Sequence, residues 1–525
     1  MFNRKIKNYR KTKLETYLTG VLLSTIVLGV FLVCQNAQAA CTGSSPTWTT
    51  TPDYESVNSC ITSATSGDTI NVSAGTEIWD ETILWTNKNI ELVGAGRDVG
   101  GTHIDTSIAA IRSLVSSKTE NKSQVTGFKF HYISASADDS DVDFITMQGQ
   151  GWRVYNNDIE NDSDTDHVHS MVAVVGNATN SGGIQPYGLV DSNIIHEARV
   201  RVFGGAEGQY WATSLAAWAD DSPIGTANAM YVENNTFTRD TENGEWNDAS
   251  LGGKYVFRFN TLTGKHQMHS HSIQSPQMRA TRSWEIYNNK YFSPMAQFMF
   301  IRGGTGMIFN NEIDGSSTYF ISFDNVRSNT CNDGACGTAN PQSVLCDGNS
   351  AWDGNVEGQQ GWPCRDQIGR GKDSGLFDLV NYDASTSEPV YLWNNKKTTG
   401  AVAAVSVYTS GRNATHIVAD RDFYDHNASF DGTSGVGSGL KADMPETCTP
   451  SAADPNGGPA YWATDENKLY RCTDTNEWTL HYTPYTCPHP LAGTGSCNLD
   501  VVGTEGYIVS GDTTAPAAPS GLSIG

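Results

Sequence analysis

Residues that could support acid–base and ion-pair chemistry are concentrated between positions 248 and 302. The chain has 34 Lys and Arg among 525 residues, so a local group of arginines and histidines stands out. The group consists of Asp248, Arg258, His266, His269, His271, Arg279, Arg282, Glu285 and Arg302. Imidazole and carboxylate groups exchange protons, and a guanidinium neutralises an anion, so the set could abstract a proton beside a carboxylate.

That combination meets the requirements of a polysaccharide lyase, which removes the proton next to a uronate carboxylate and protonates a leaving oxygen. We predict catalytic roles for His271, Arg282, Glu285, Asp248 and Arg258. We predict substrate contacts for Arg279, Arg302, His269, Arg365 and Asp366.

Other uses of the same residues remain open. Asp248 and Glu285 could be the two carboxylates of a glycoside hydrolase. A zinc site formed by His266, His269 and His271 is disfavoured because no HExxH motif is present. Arginine and glutamate one coil apart can also form a structural ion-pair ladder, and a strand histidine is often a satisfied surface group.

Two DxDxD motifs, at 139–143 and 162–166, begin 23 residues apart. Carboxylates held on neighbouring coils would repel each other, and Ca²⁺ would relieve the repulsion. We predict a calcium site formed by Asp139, Asp141, Asp162 and Asp164. Neither motif has the Gly and Glu positions of an EF-hand loop, so two solvated acidic loops are the alternative. No other cofactor is predicted.

A short repeat indicates how distant residues would be brought together. An asparagine follows an apolar, strand-like segment at positions 157, 193, 235, 260, 289 and 311, with a weaker copy at 394–395. The spacings of 36, 42, 25, 29 and 22 residues fit coils of a β-solenoid, the longer ones containing insertions. Asparagine suits turns, and stacked asparagines can hydrogen-bond along the axis. An antiparallel meander is the alternative.

The composition favours an all-β protein with many turns. Hydrophobic residues make up 38% and charged residues 17%, while Gly, Trp and Tyr number 52, 13 and 21. A coiled coil or helical bundle would need more Ala, Leu, Glu and Lys, and a disordered chain would have fewer aromatic residues. The formal net charge of −23 argues against a nucleic-acid partner.

The N-terminal segment predicts export. Residues 1–39 contain a basic start, an apolar stretch from Val21 to Val33, and a small-residue cleavage site at 37–39, although an uncleaved anchor is the alternative. Ten cysteines follow, and an even number suits disulfides in an oxidising compartment. We predict the local pairs Cys41–Cys60 and Cys331–Cys336. The remaining chain contains no other apolar run that could span a membrane, so a secreted or cell-surface protein is expected.

Several segments resemble a known family. A helical pattern at 53–64, followed by SGDTINVSAGTEIW at 66–79 and KNIELVGAG at 88–96, resembles the N-terminal cap and first coils of the pectate lyase-like superfamily. Blocks such as YVENNTFTRD at 231–240 and IRGGTGMIFNNEI at 301–313 look like a group of secreted bacterial right-handed β-helix proteins. The resemblance covers most of residues 45–490. It implies an all-β, right-handed parallel β-helix with an N-terminal capping helix.

The expected organisation has five parts: signal peptide 1–39, N-terminal cap 40–75, parallel β-helix 76–440, Cys-rich C-terminal β appendage 441–511 and Pro/Ala linker 512–525. The expected function is binding of extracellular polysaccharide, with lyase or hydrolase activity. A non-catalytic cell-surface adhesin or structural solenoid is the alternative.

Overall fold

The computed structural model describes most of the chain between residues 41 and 497. The described ranges are 41–115, 120–133, 142–161, 170–175, 186–204, 218, 221–239, 244–264, 267–272, 280–292, 297–314, 319–324, 366–373, 385–403, 405–407, 417–451, 456–493 and 497. The predicted signal peptide and Pro/Ala linker lie outside these ranges.

Each coil of the chain consists of three short strands separated by turns. Within a strand, apolar and polar side chains alternate. The first full coil runs from Asp68–Val72 to Gly75–Trp79 and Ile83–Thr86. Inward side chains such as Ile70, Trp79 and Ile83 are fully buried. Because side chains of a strand alternate with period two, every second one points inward. The inward side chains of the three strands of each coil therefore form one apolar core.

Equivalent strands of successive coils form three long sheets. Sheet A contains Thr42–Ser44, Thr47–Thr50, Asp68–Val72, Ile90–Gly94, Gln124–Thr126, Gln150–Tyr155, Tyr187–Asp191, Met230–Glu233, Lys254–Arg258, Ser283–Tyr287, Thr305–Phe309, Val390–Trp393 and Phe423–Tyr424. Sheet B contains Gly75–Trp79, Thr102–Thr106, Phe128–Tyr132, Asp158–Asn161, Ile194–His196, Thr236–Arg239, Thr261–Gly264, Lys290–Phe292, Glu312–Asp314 and Lys396–Lys397. Sheet C contains Ile83–Thr86, Ile111–Leu114, Asp143–Met147, Ser170–Val175, Arg199–Phe203, Glu245–Ser250, Gln267–Ser270, Gln297–Ile301, Tyr319–Phe323 and Val405–Val407.

All pairs between these coils are parallel, and the antiparallel pair Thr42–Ser44 with Thr47–Thr50 precedes the first coil. The predicted parallel β-helix is therefore confirmed, and the antiparallel meander is excluded for the strands of the coils in sheets A, B and C.

A buried asparagine ladder forms the corner between sheets A and B. Each asparagine donates from its side-chain amide to the next one along the axis; in the middle of the row, Asn235 donates to Asn260 over 3.1 Å and Asn260 to Asn289 over 3.1 Å. The ladder residues are Asn157, Asn193, Asn235, Asn260, Asn289, Asn311 and Asn395. The residue before each has positive φ, as at Asn288 with φ 55°, which turns the chain through the corner.

We expect Asn260→Ala to destabilise the solenoid strongly. The substitution removes the acceptor of the Asn235 backbone N–H and the donor to the Val232 carbonyl, leaving buried groups unsatisfied. The free energy of unfolding should fall by about 3 kcal/mol or more. Chemical denaturation measures this, with Asn58→Ala on the N-terminal helix as the control. Equal stability of the two variants would contradict the ladder's role.

The N-terminal helix, α1 (Tyr54–Ser63), begins where Asp53 accepts a hydrogen bond from the Ser56 backbone N–H over 2.9 Å. Its buried face includes Val57, which belongs to the same core as the coils. The disulfide predicted between Cys41 and Cys60 is present and ties the helix to the preceding segment.

A C-terminal appendage packs against the outer face of sheet A. Its four strands are Val436–Gly439, Ala460–Ala463, Lys468–Asp474 and Glu477–Tyr482. Disulfides join Cys448 to Cys472 and Cys487 to Cys497. The interface contains stacked rings, including Phe309 on Trp393 at 4.4 Å and Trp393 against Trp462 at 4.9 Å.

Three smaller elements complete the described fold: a two-stranded sheet of Arg370–Asp373 and Ser385–Ser387, and 3₁₀ helices at Lys441–Asp443 and Pro490–Ala492. Within the described ranges, no helix has both the length and the apolar character needed to cross a membrane.

Candidate functional site

The outer face of sheet C brings together residues from four coils. Arg201 pairs in register with Asp248, Asp248 with His269, and His269 with Phe300. Their strand neighbours, such as Val202 and Met268, lie in the core. Alternation therefore directs the charged and imidazole side chains outward, into one row across the coils.

Glu245 and His269 form the first acid–base pair of this row. Glu245 Oε1 contacts His269 Nδ1. In the neutral form of the ring, the facing carboxylate places the imidazole proton on Nδ1, so that Nε2 carries the lone pair. Nε2 is buried and has no hydrogen-bond partner among the described residues. The His269 ring also stacks on Phe300 at 5.6 Å, which fixes its plane.

The second acid–base pair consists of Asp248 and His271, and Arg302 is the cation beside it. Arg302 Nη2 lies 2.7 Å from His271 Nδ1, and an arginine can only donate, so Nδ1 is the acceptor. The His271 proton therefore resides on Nε2, which lies 2.8 Å from Asp248 Oδ1. Burial lowers the pKa of His271 to about 4 despite the facing carboxylate. Burial alone would raise the pKa of Asp248, but His271 and Arg199 hold it well below its usual range.

Two further arginines surround the carboxylates. Arg199 Nη1 contacts Glu245 and lies 3.3 Å from Asp248 Oδ2. Arg201 bridges Asp143 at 3.3 Å and Asp248 at 3.9 Å. The site thus concentrates guanidinium charge in a chain whose formal net charge is −23.

Glu245, Asp248, His269 and His271 also have potential metal-ligand atoms within 4.8 Å of one another. By donor type, such a set could hold a transition metal rather than Ca²⁺, which prefers oxygen ligands. However, Arg302 occupies the His271 Nδ1 lone pair, and Nε2 then carries a proton. His271 could bind a cation only by giving up one of these contacts, so the geometry fits a proton-exchanging network better than a metal centre.

Arg258 and Glu285, predicted as catalytic, lie elsewhere, on sheet A beneath the appendage. Arg258 is fully buried and bonds Glu233 at 2.6 Å and the carbonyl of Tyr485 at 2.7 Å. Glu285 is 1% exposed and accepts hydrogen bonds from the Gly225 backbone and the Tyr482 hydroxyl. The prediction that one face collects all the candidate residues is therefore wrong for these two, because they join the solenoid to the appendage.

We expect Arg258→Met to act on stability. It would leave the Glu233 carboxylate buried without its guanidinium, which should lower the free energy of unfolding by about 3–5 kcal/mol. Denaturant titration measures the loss. Lys122→Met, which breaks the exposed pair with Glu120, is the matched control and should change stability by less than about 1 kcal/mol. A well-folded Arg258→Met protein with wild-type stability would restore a functional reading of this arginine.

The buried carboxyl group of Glu285 should make the free energy of unfolding depend on pH. Burial raises the pKa of its carboxyl from 4.5 to about 7. Because the folded pKa is raised, its contribution to stability is fully present below about pH 4.5 and is lost as pH rises through about 7. Glu285→Gln should remove this loss, which amounts to up to about 3 kcal/mol. Melting temperatures of the wild type and the variant, compared at several pH values between 4 and 9, test it; parallel curves would contradict it.

Arg282 and Asp366 also have buried, structural surroundings. Arg282 is fully buried and binds Glu388 through two hydrogen bonds of 2.7 and 2.9 Å. Asp366 is fully buried and accepts a hydrogen bond from the Ala280 backbone over 3.2 Å. Neither residue belongs to the row on sheet C. Arg282 does orient the carboxylate of Glu388, which lines a groove at the appendage.

The remaining predicted residues lie outside the described part of the chain. They are Arg279, Arg365, Asp139, Asp141, Asp162, Asp164, Cys331 and Cys336. Sequence reasoning brought Asp248, His269, His271 and Arg302 into one group, and the structure also places them together. The sequence analysis did not identify Arg199, Arg201 or Glu245. The arginines at alternate positions of the strand Arg199–Phe203 were a signal that could have revealed the first two.

Comparisons with known proteins give little beyond this geometry. No family model and no curated protein sequence matches the chain. Among solved structures, a PL6 family alginate lyase variant aligns with 89% of this chain and 60% of its own length, at 12% identity and a TM-score of 0.28. The chain thus spans less than two thirds of that protein, and a TM-score this low supports no inference. The assignment of the chain as a parallel β-helix rests on its own sheets.

Proposed function

We propose that the protein binds an extracellular uronate-containing polysaccharide and cleaves it by elimination on the outer face of sheet C. The observation that supports this is the Glu245–His269 pair, whose Nε2 is a proton acceptor without a partner among the described residues. Arg199, Arg201 and Arg302 belong to the same site. Arg199 and Arg201 also pair with carboxylates there, but their guanidinium groups and that of Arg302 are the kind of cation that an acidic sugar requires.

The reaction divides naturally among these groups. A guanidinium neutralises the uronate carboxylate and so acidifies the neighbouring C–H bond. His269 Nε2 is buried in the free protein and must be uncovered as the sugar binds. It then takes that proton, the carbon–carbon double bond forms, and the bond to the leaving oxygen breaks. Glu245 stabilises the resulting imidazolium through Nδ1–H. The imidazolium then returns its proton to the leaving oxygen, so one imidazole serves both steps.

The location fits the same proposal. Three disulfides are present among the described residues, as expected for a protein that folds in an oxidising compartment. We retain the calcium site at the two acidic motifs as a prediction, since those residues lie outside the described ranges.

A non-catalytic adhesin is the second candidate. It is favoured by the pairing of Glu245 and Asp248 with Arg199, because a network of satisfied ion pairs can be purely structural. Such a protein would retain polysaccharide without shortening it.

Incubation with a panel of polyuronides, with and without Ca²⁺, separates the two candidates. We expect an unsaturated, ultraviolet-absorbing product from at least one polymer. His269→Gln should reduce the rate of product formation by about 10²–10⁴-fold, and Glu245→Gln should also reduce it. His131→Gln, which alters an Asp105–His131 pair on sheet B, is the matched control. Binding without product, or full activity in His269→Gln, would refute the proposed reaction.

A further inference from the structure

A groove of about 460 Å³ lies between the solenoid and the C-terminal appendage, well outside the row on sheet C. The solenoid wall includes Ser222, Thr386 and Glu388, and the appendage wall includes Asn456, Arg471 and His481. Its volume falls within the range of small-ligand sites. Because both walls are required, the groove exists only while the appendage is docked.

The charge of this groove is carried by Arg471. Glu388, the carboxylate of the lining, is neutralised by the fork of Arg282. Arg471 donates to the Asn456 carbonyl over 2.5 Å, and no carboxylate partner is found for it among the described residues. Its Nε is buried without a hydrogen-bond partner in the described structure. A half-buried guanidinium with no counter-ion favours an anionic ligand.

The rest of the lining has the chemistry of a sugar site. Hydroxyl groups of Ser222 and Thr386 can bond to sugar hydroxyls, and Ser222 Oγ has no partner among the described residues. Ile224, Met307 and Pro389 provide an apolar surface for the C–H face of a sugar ring. His481 packs against Tyr391 at 5.1 Å, and burial together with Arg471 lowers its pKa to about 3, so it adds no charge at neutral pH.

We infer that this groove is a second carbohydrate-binding site, which holds a carboxylated sugar unit through Arg471. The inference rests on the proposed function only for the class of ligand. The site would retain the polymer on the protein independently of cleavage on sheet C, and it gives the appendage a role in binding.

Calorimetric titration of the full chain tests this site. The protein is His269→Gln, so that cleavage does not complicate binding, and the probes are oligogalacturonate and oligoalginate, each beside its carboxyl-reduced, neutral form. We expect at least one charged oligomer to bind and its reduced form to bind more weakly. Adding Arg471→Gln should raise Kd by about tenfold to a hundredfold. Lys468→Gln, which removes a charge from the same strand, is the control and should leave Kd unchanged.

A second variant, on the opposite wall of the groove, distinguishes loss of the binding site from misfolding of the appendage. Ser222→Trp fills the groove from the solenoid side and should also weaken binding, with the melting temperature as the check on folding. The inference is overturned if neither charged oligomer binds, if the reduced form binds equally well, or if a folded Arg471→Gln or Ser222→Trp protein binds as the parent does. These results are independent of whether the wild type forms an unsaturated product, so the two proposals fail separately.

Discussion

The parallel register between coils is the constraint on which every other feature depends. It is maintained at the A–B corner by a buried ladder in which each asparagine bonds the side chain and the backbone of its neighbours. At Asn260, the side-chain oxygen accepts from the Asn235 backbone while the side-chain amide reaches Asn289. A slip of one residue would turn every inward side chain toward solvent. The ladder therefore fixes which residues face outward side by side.

Register explains why the chemistry gathers on sheet C. Arg201, Asp248 and His269 are separated by long stretches of sequence, yet they lie at equivalent positions of successive strands. Strand spacing of about 4.8 Å is close enough for ion pairs and for exchange of protons. Insertions between coils change the sequence distance without changing this neighbourhood, so a solenoid can add loops while keeping the row intact.

Much of this architecture could be predicted from sequence because its signals are local and repeated. The asparagine corners and the alternating strands recur in nearly every coil, and they indicated the correct fold. The site was harder, because insertions prevent the counting of in-register neighbours: Glu245 was missed although it contacts the predicted His269. Arg258 was misassigned for another reason. Its partner carbonyl at Tyr485 is 227 residues away, in an appendage whose docking face has no repeat to reveal it.

The appendage is held by buried polar contacts as well as by packed aromatic rings. Two ionisable groups at this interface, Glu285 and His489, respond to pH in opposite directions. Burial raises the pKa of Glu285, so its contribution weakens as pH rises through about 7. Burial lowers the pKa of His489 to about 4, so its contribution weakens as pH falls below the unfolded value of about 6.5. The two effects offset each other between about pH 4.5 and 6.5, so docking is favoured at mildly acidic pH and weakens on either side of that range. Because the Arg471 groove has one wall on the appendage, conditions that loosen the interface would remove that binding site while leaving the row on sheet C in place.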